Sequence, residues 1–239
     1  DIGGSSDDYV GCDVSRGLGF AFNGDANDDG TGGNTWGLDP PAVGVDFFEG
    51  PYQDADGIDN PLTTDVQAAI DQDGVPYAGL GLGYGDVVVD NERMGMRRFI
   101  YYNNAGGIQG DPSTAAQYYG FMEGFWGTSG SRTTYGGTGL GGSIEADYMF
   151  PGSSDPLNWG TKGVVVPEWS ELTEGNPVAD RRFVQVAGPF TLKPGAVNNL
   201  TVGVIYGRSY DGDVEASVRA MKRADTKAQS LFDACFEIV

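Results

Sequence analysis

The chain has no histidine. That removes Ser-His-Asp and Cys-His catalysis, histidine-ligated zinc and histidine pH switches. Among enzyme chemistries it leaves chiefly carboxylate-based hydrolysis and oxygen-ligated metals. Cysteine is nearly absent as well. Cys12 and Cys235 stand near opposite ends of the 239 residues, a spacing that matches no metal or redox motif. In an extracellular setting they are expected to form a disulfide, to which the entropic model assigns about 4–5 kcal/mol. The alternative is two buried thiols. Positive charge is scarce, with 14 Lys and Arg against 34 Asp and Glu, a net charge of −20. Nucleic acid and anionic membrane surfaces require basic patches, so neither is expected as a partner. No apolar run approaches the ~20 residues of a membrane-spanning helix. The opening "DIGGSSDDYVGCD" is expected to be the start of a mature form or, more in keeping with its ragged sequence, of a fragment cut from something longer.

What is abundant is glycine, with 40 residues, and aromatics, at 12%. Together they predict short strands joined by tight turns and long loops. The acids are mainly Asp, which favours turns and metal loops over helix interiors. Bound divalent cations would relieve part of the self-repulsion; adaptation to a salty medium is the other explanation of so acidic a surface. No internal repeat or linker divides the chain. One mostly β domain is expected over residues 1–239, a jelly-roll-type sandwich with long Gly/Asp-rich loops, one or two short helices and a C-terminal helix.

Several elements can be placed. "YVGCDVSRGLGFAFNGD" reads as a strand entering an acidic loop, "AVGVDFFEGP" at 42–51 as a strand with a Gly-Pro stop, and "RRFIYYNN" as another strand. "TTDVQAAIDQDG" predicts a short helix. The spacing of Ala115, Tyr118, Tyr119, Met122 and Trp126 predicts an amphipathic helix within 111–127. Residues 127–143 predict a mobile loop, "IEADYMFPGSSDPLNWG" a short strand and an Asp-Pro turn, and residues 167–180 irregular surface. "RRFVQVAGPFTLKPGAVNNLTVGVIYG" predicts two or three strands around Lys193-Pro-Gly195, with "VGVIYG" buried on both faces or nearly so. From about 213 to 235, Val214, Val218, Met221, Ala224, Ala228, Leu231 and Cys235 form one stripe of a long helix.

The motif closest to chemistry is "FNGDANDDGTGG". Asp25, Asn27 and Asp29, followed by Gly30, match the first half of a calcium loop. Calcium takes six to eight oxygens, and alternate side chains of a tight loop can point inward, with the Thr31 carbonyl next. Trp36 stands where an EF-hand would place its bidentate Glu, so this is no EF-hand. Asp39 or the second loop would have to complete the shell. That loop carries Asp54, Asp56, Gly57, Asp59 and Asn60 in a similar alternation. Asp86, Asp90 and Glu92 form a poorer third candidate, with pairing to Arg93, Arg97 and Arg98 as the plainer explanation. The expected cofactor is therefore structural Ca2+, at Asp25, Asn27, Asp29, Thr31, Asp39, Asp54, Asp56 and Asp59. Solvated acidic turns are the alternative.

No catalytic residue is assigned. Glu123, Glu145, Asp147 and Glu168 are acids near aromatics that a glycosidase would need in facing pairs. Trp36, Trp126, Trp159 and Trp169 lie in or beside glycine-rich segments and could stack on sugar rings; their alternative is core packing.

The segments "YVGCD…GFAFNGD", "PPAVGVDFFEGP", "DGIDNPLTTD", "NERMGMRRFIYYNN", "ADYMFPGSSDPLNWG", "DRRFVQVAGPFTL" and "ADTKAQSLFDACF" together resemble a region of large secreted proteins of the Bacteroidota, exported by type IX secretion. The resemblance implies an extracellular or cell-surface location and a multidomain context. It supplies no activity. The expected function is a calcium-stabilised structural or adhesion module, partnered by other domains of the same secreted protein or a cell-surface assembly. The alternatives are a carbohydrate-binding module that takes glycans and, third, a carboxylate-based glycoside hydrolase.

Overall fold

The computed structural model describes residues 6–29, 35–65, 75–76, 81–127 and 130–237. The helix expected from "TTDVQAAIDQDG" and the Thr31 carbonyl lie outside these residues, apart from the first positions of that segment. The chain is mostly β, with antiparallel sheets and three α-helices among the described residues, as its glycine and aromatic content predicts.

The N-terminal segment makes a hairpin, β1 (Asp8–Asp13) and β2 (Leu18–Asn23), closed through the turn at 14–17. Two further short pairs follow: β3 (Asn27–Asp28) with β4 (Gly37–Leu38), and β6 (Leu62–Thr63) parallel to β7 (Val75–Pro76). Between them β5 (Ala42–Glu49) pairs with β2, and β10 (Thr201–Gly207) completes a four-stranded antiparallel sheet in the order β1-β2-β5-β10. A separate ribbon joins β8 (Met96–Asn103) to β9 (Arg181–Ala187). The strands flanking Lys193-Pro-Gly195 therefore belong to different sheets, and that turn closes no hairpin.

Period-two alternation sends Leu18, Phe20, Phe22, Ala42 and Ile205 to one face of the large sheet. There they meet Val218 and Met221 of α3 (Ala216–Asp233), with Val214, Ala224 and Ala228 alongside. The helical stripe read from sequence is thus the packing face as far as Ala228. Beyond it, Leu231 and Cys235 are exposed. Glycine sets how closely α3 lies on the strands. A Cβ on Gly44 would stand 2.6 Å from the Met221 sulfur, and one on Gly207 would collide with the Met221 backbone nitrogen and Cα.

The opposite face of β1 and β2 carries Val10, Cys12, Gly19 and Ala21, and here the β8–β9 ribbon supplies cover. A Cβ on Gly19 would lie 2.7 Å from the Phe99 ring. Residues 146–149 run beside β8, with Phe99 N donating to Asp147 O and Met149 N to Phe99 O, both at 3.0 Å. Three tryptophans fill this second core: Trp126, Trp159 and Trp169 are 0, 5 and 2% exposed. The Trp126 and Trp169 indoles donate to the carbonyls of Gly139 and Gly137, so the glycine-rich segment expected to be mobile is a seat for aromatics.

Two further expectations change. In α1 (Ala115–Met122), capped by Thr114, the buried residue is Phe121, whereas Tyr118, Tyr119 and Met122 are exposed. The helix presents the opposite face to the one its aromatic spacing suggests. Residues 167–180, expected as irregular surface, contain α2 (Glu171–Glu174). Its Glu171 is buried against Arg181, Nε to Oε1 at 2.9 Å and Nη2 to Oε2 at 3.2 Å.

Candidate functional site

The acidic loops come first, because the sequence points there. Asp25 accepts from Asn27 N at 2.7 Å, and the Asn27 amide donates to Asp29 Oδ1. This local bonding is that of Asx turns. Asp39 lies beside this loop, its N–H donating to Ala26 O at 2.9 Å, and its carboxylate accepts from Gly212 N at 3.0 Å. The second and third acidic stretches are brought together. Asp90 Oδ1 accepts from both Asp56 N and Gly57 N at 2.8 and 2.9 Å, and Asp59 takes Gly85 N and Val87 N, both at 2.7 Å. Glu92, 2% exposed, accepts from Asn60 N at 2.6 Å. Asp54 caps a distant segment, accepting from Thr191 N at 2.7 Å. Carboxylates that would have faced a cation in the second loop therefore hold backbone amides that would otherwise lack partners. Among the described residues no group of three or more His, Cys, Asp or Glu side chains is arranged to hold a metal. A cation at the first loop would take the oxygens of Asp25, Asn27 and Asp29, with Asp39 alongside.

The cysteines are not bridged. Cys12 is buried, its thiol donating to Met149 O at 3.3 Å, while Cys235 is exposed beyond the end of α3. Burial pushes the Cys12 thiol well above its usual range, leaving it unreactive.

The tryptophans separate cleanly. Trp126, Trp159 and Trp169 are core, so stacking on sugar rings is open to Trp36 alone of the four, at 45% exposure. Its backbone nitrogen is pinned by Asp28 Oδ2 at 2.7 Å. Its ring lies 6.3 Å from that of Tyr206 on β10, and the Arg208 guanidinium sits over it at 5.2 Å and over Tyr210 at 4.9 Å. Arg208 is fixed in turn by the carbonyls of Asp39 and Leu38, at 2.7 and 3.0 Å. The result is an exposed, rigidly backed aromatic platform.

This platform continues into the face of the sheet that the ribbon leaves bare. β10 is an edge strand, and Val202, Val204 and Tyr206 are 45, 74 and 50% exposed. The expectation that "VGVIYG" is buried on both faces holds for one face only, where α3 lies. Register places Val43, Val45 and Phe47 of β5 beside these three residues. Sequence reading missed Tyr206, Arg208 and Tyr210. An unbroken apolar run gives no sign of which face will lack a neighbour.

Of the carboxylates considered for hydrolysis, two are held in ion pairs. Asp147 is 2% exposed; burial alone would raise its pKa, but Arg97, Lys162 and Arg98 hold it below the ordinary carboxylate range, unsuited to donating a proton. Glu145 pairs with Arg132 at 3.1 Å. Glu168 is exposed and lines two adjoining clefts of about 430 and 300 Å³. The arginines offered as partners for Asp86, Asp90 and Glu92 pair elsewhere, Arg93 with Glu49 and both Arg97 and Arg98 with Asp147. Compared with protein-family models, with curated proteins and with solved structures, the chain matches none.

Proposed function

We propose that this domain is an extracellular structural or adhesion module that docks through the open half of its large sheet. The observation that carries the reading is β10. Its seven residues, TVGVIYG, contain no charge and no proline, its outer edge has no partner among the described residues, and its open face is apolar. Exposed edges are ordinarily blunted by lysine, proline or a covering element. One left bare supports strand addition or face-to-face docking. The frame is read as a sandwich whose second layer, the β8–β9 ribbon, is too narrow to cover the first. A net charge of −20 weighs against a second copy as occupant and favours a less acidic module or surface component. The resemblance to secreted Bacteroidota proteins supports the extracellular setting. As a test, labelled domain is titrated onto the surface of producing cells beside a Val204→Lys variant. At least tenfold weaker binding of the variant, with unchanged Tm, is expected. Equal binding would sink the reading.

A glycan is the second reading, favoured by the Trp36, Arg208 and Tyr210 platform. Trp36 is the exposed tryptophan, so oligosaccharide quenching of fluorescence would report this platform and disappear in Trp36→Phe. Quenching that persists in Trp36→Phe, or none at all, counts against it.

A further inference from the structure

Four of the chain's few cations converge on one carboxylate. Arg97 Nη1 and Arg98 Nε reach the two oxygens of Asp147 at 2.9 and 3.0 Å, Lys162 Nζ contacts Oδ2, and Arg132 Nη2 stands 3.7 Å from Oδ1. Among the described residues the only other carboxylate within ion-pair distance of any of the four is Glu145, which is 54% exposed and pairs with Arg132. Within ion-pair distance two negative charges answer four positive ones, with Glu123 acting on Arg97 at longer range. In a chain with 14 Lys and Arg against 34 Asp and Glu, this local surplus runs opposite to the whole.

The surplus is held in place. Arg98 Nη1 is tied to Met122 O at 3.1 Å, and Arg132 Nη1 to Glu123 O at 2.7 Å. The Arg132 guanidinium rests on the exposed Phe125 ring at 4.9 Å. Lys162 sits in the left-handed region at φ +56°, a conformation that residues with a side chain rarely adopt. Yet donors remain uncommitted. Arg132 Nε is buried with no partner, and Arg97 uses Nη1 alone in contacts among the described residues. Burial first, and then the neighbouring arginines, depress the Lys162 amine below its usual range, whereas Asp147 and Glu123 help to hold Arg97 above its own. The side chains of Arg97, Lys162 and Arg132 are 37, 27 and 23% exposed, so the cluster opens to solvent.

We propose that Arg97, Arg132 and Lys162 form a binding site for a single anionic group, a sulfate, phosphate or carboxylate, with Asp147 as the fixed counter-charge that pre-positions them. Guanidinium groups pair with such oxyanions through two parallel hydrogen bonds, and Arg97 has the free pair of donors to do so. The Phe125 ring beside Arg132 would suit the apolar face of an anionic sugar. The overall negative charge is no obstacle at this range, because salt screens distant charges beyond about 8–10 Å and leaves partly buried ones in force.

The test is thermal unfolding at fixed ionic strength, with chloride replaced stepwise by inorganic sulfate, inorganic phosphate, glucuronate or a sulfated disaccharide. A saturating rise in Tm with at least one of these is expected, and Arg97→Gln should weaken the apparent affinity at least tenfold. Arg97→Lys keeps the charge but loses the paired donors, and should fall between the two. Tighter binding of the sugar acids assigns the site to acidic glycans; a response to the inorganic ions alone assigns it to free oxyanions. Identical curves in chloride and in every other anion would overturn the site. So would a rise that survives in both Arg97→Gln and Lys162→Gln, which would mark an adventitious ion only. Should Arg97→Gln fail to fold, Lys162→Gln carries the same comparison, since Arg97 and Arg98 still satisfy Asp147.

Discussion

Asp46 on β5 and Asp225 on α3 face one another across the seam between sheet and helix, within hydrogen-bonding reach, each about 1% exposed. Two carboxylates cannot accept from each other, so one keeps its proton. Burial first, and then the Asp225 carboxylate, push Asp46 up to about 8. Arg16 steadies the other side of the pair, 3.1 Å from Asp225 Oδ2, while Asp13 beside it is held by Lys222 at 2.8 Å.

The pair sets a direction for stability against pH. The folded chain retains this proton from the ordinary carboxylate range up to about pH 8, whereas the unfolded chain releases it near pH 4. Stability should therefore fall as pH rises through that window, by up to about 1.4 kcal/mol per unit for the one proton, and level off above it. Asp8, buried and pushed by that burial up to about 7, adds a second proton to the lower part of the fall. Urea midpoints from pH 5 to 9 at high fixed ionic strength would show it. Asp46→Asn keeps a neutral donor to Asp225 and should flatten the curve; an unchanged slope in that variant would remove the pair as its source.

A second expectation concerns the contact between α3 and β10. Gly207→Ala places a methyl group into the Met221 backbone, which cannot rotate aside. A loss of about 3 kcal/mol or more is expected by chemical denaturation, at the upper end of ordinary overpacking. Gly44→Ala should cost less, because the Met221 thioether can move.

The buried Glu171–Arg181 pair offers a third. Arg181 also donates to Pro177 O at 2.7 Å, and Asn176 donates to Glu171 Oε2 at 2.8 Å. Arg181→Met strands the Glu171 carboxyl among groups placed for its charge, at a cost of about 3–5 kcal/mol. Replacing both partners with apolar residues should recover part of that loss.

Calcium dependence separates the acidic loops. A calcium-specific rise in Tm that Asp25→Asn abolishes and Asp90→Asn leaves intact is expected for a cation at the first loop. Asp90→Asn should lower Tm equally with calcium or with chelator, because its carboxylate holds the amides of Asp56 and Gly57. If Asp90→Asn removed the calcium increment, the cation would belong to the second loop.

Which features the sequence discloses follows from how local their cause is. The stripe from Val214 to Ala228 and the strands at 42–49 and 96–103 are legible because periodicity is set by the residues themselves. The hairpin that buries Cys12 and the fate of "VGVIYG" are not, since both depend on what packs above them. Alternating carboxylates read alike whether they surround a cation or cap amides, and the Asp56–Asp90 contact joins two loops that no local pattern connects. The cluster around Asp147 joins Arg97, Arg98, Arg132 and Lys162 from separate segments. No spacing rule connects them.

The N- and C-terminal parts of the chain are interdependent. β10 lies far downstream of β5 yet pairs with it, and Ser217 reaches back 177 positions to hold the Pro40 carbonyl at 2.8 Å. Contacts of such long range make folding slow. Until α3 has been synthesised, the face carrying Leu18, Phe20 and Phe22 lacks the cover of Val218 and Met221. Any version of this domain that stops short of α3 therefore exposes a sticky sheet, and a newly made chain settles into its native state only after α3 has emerged.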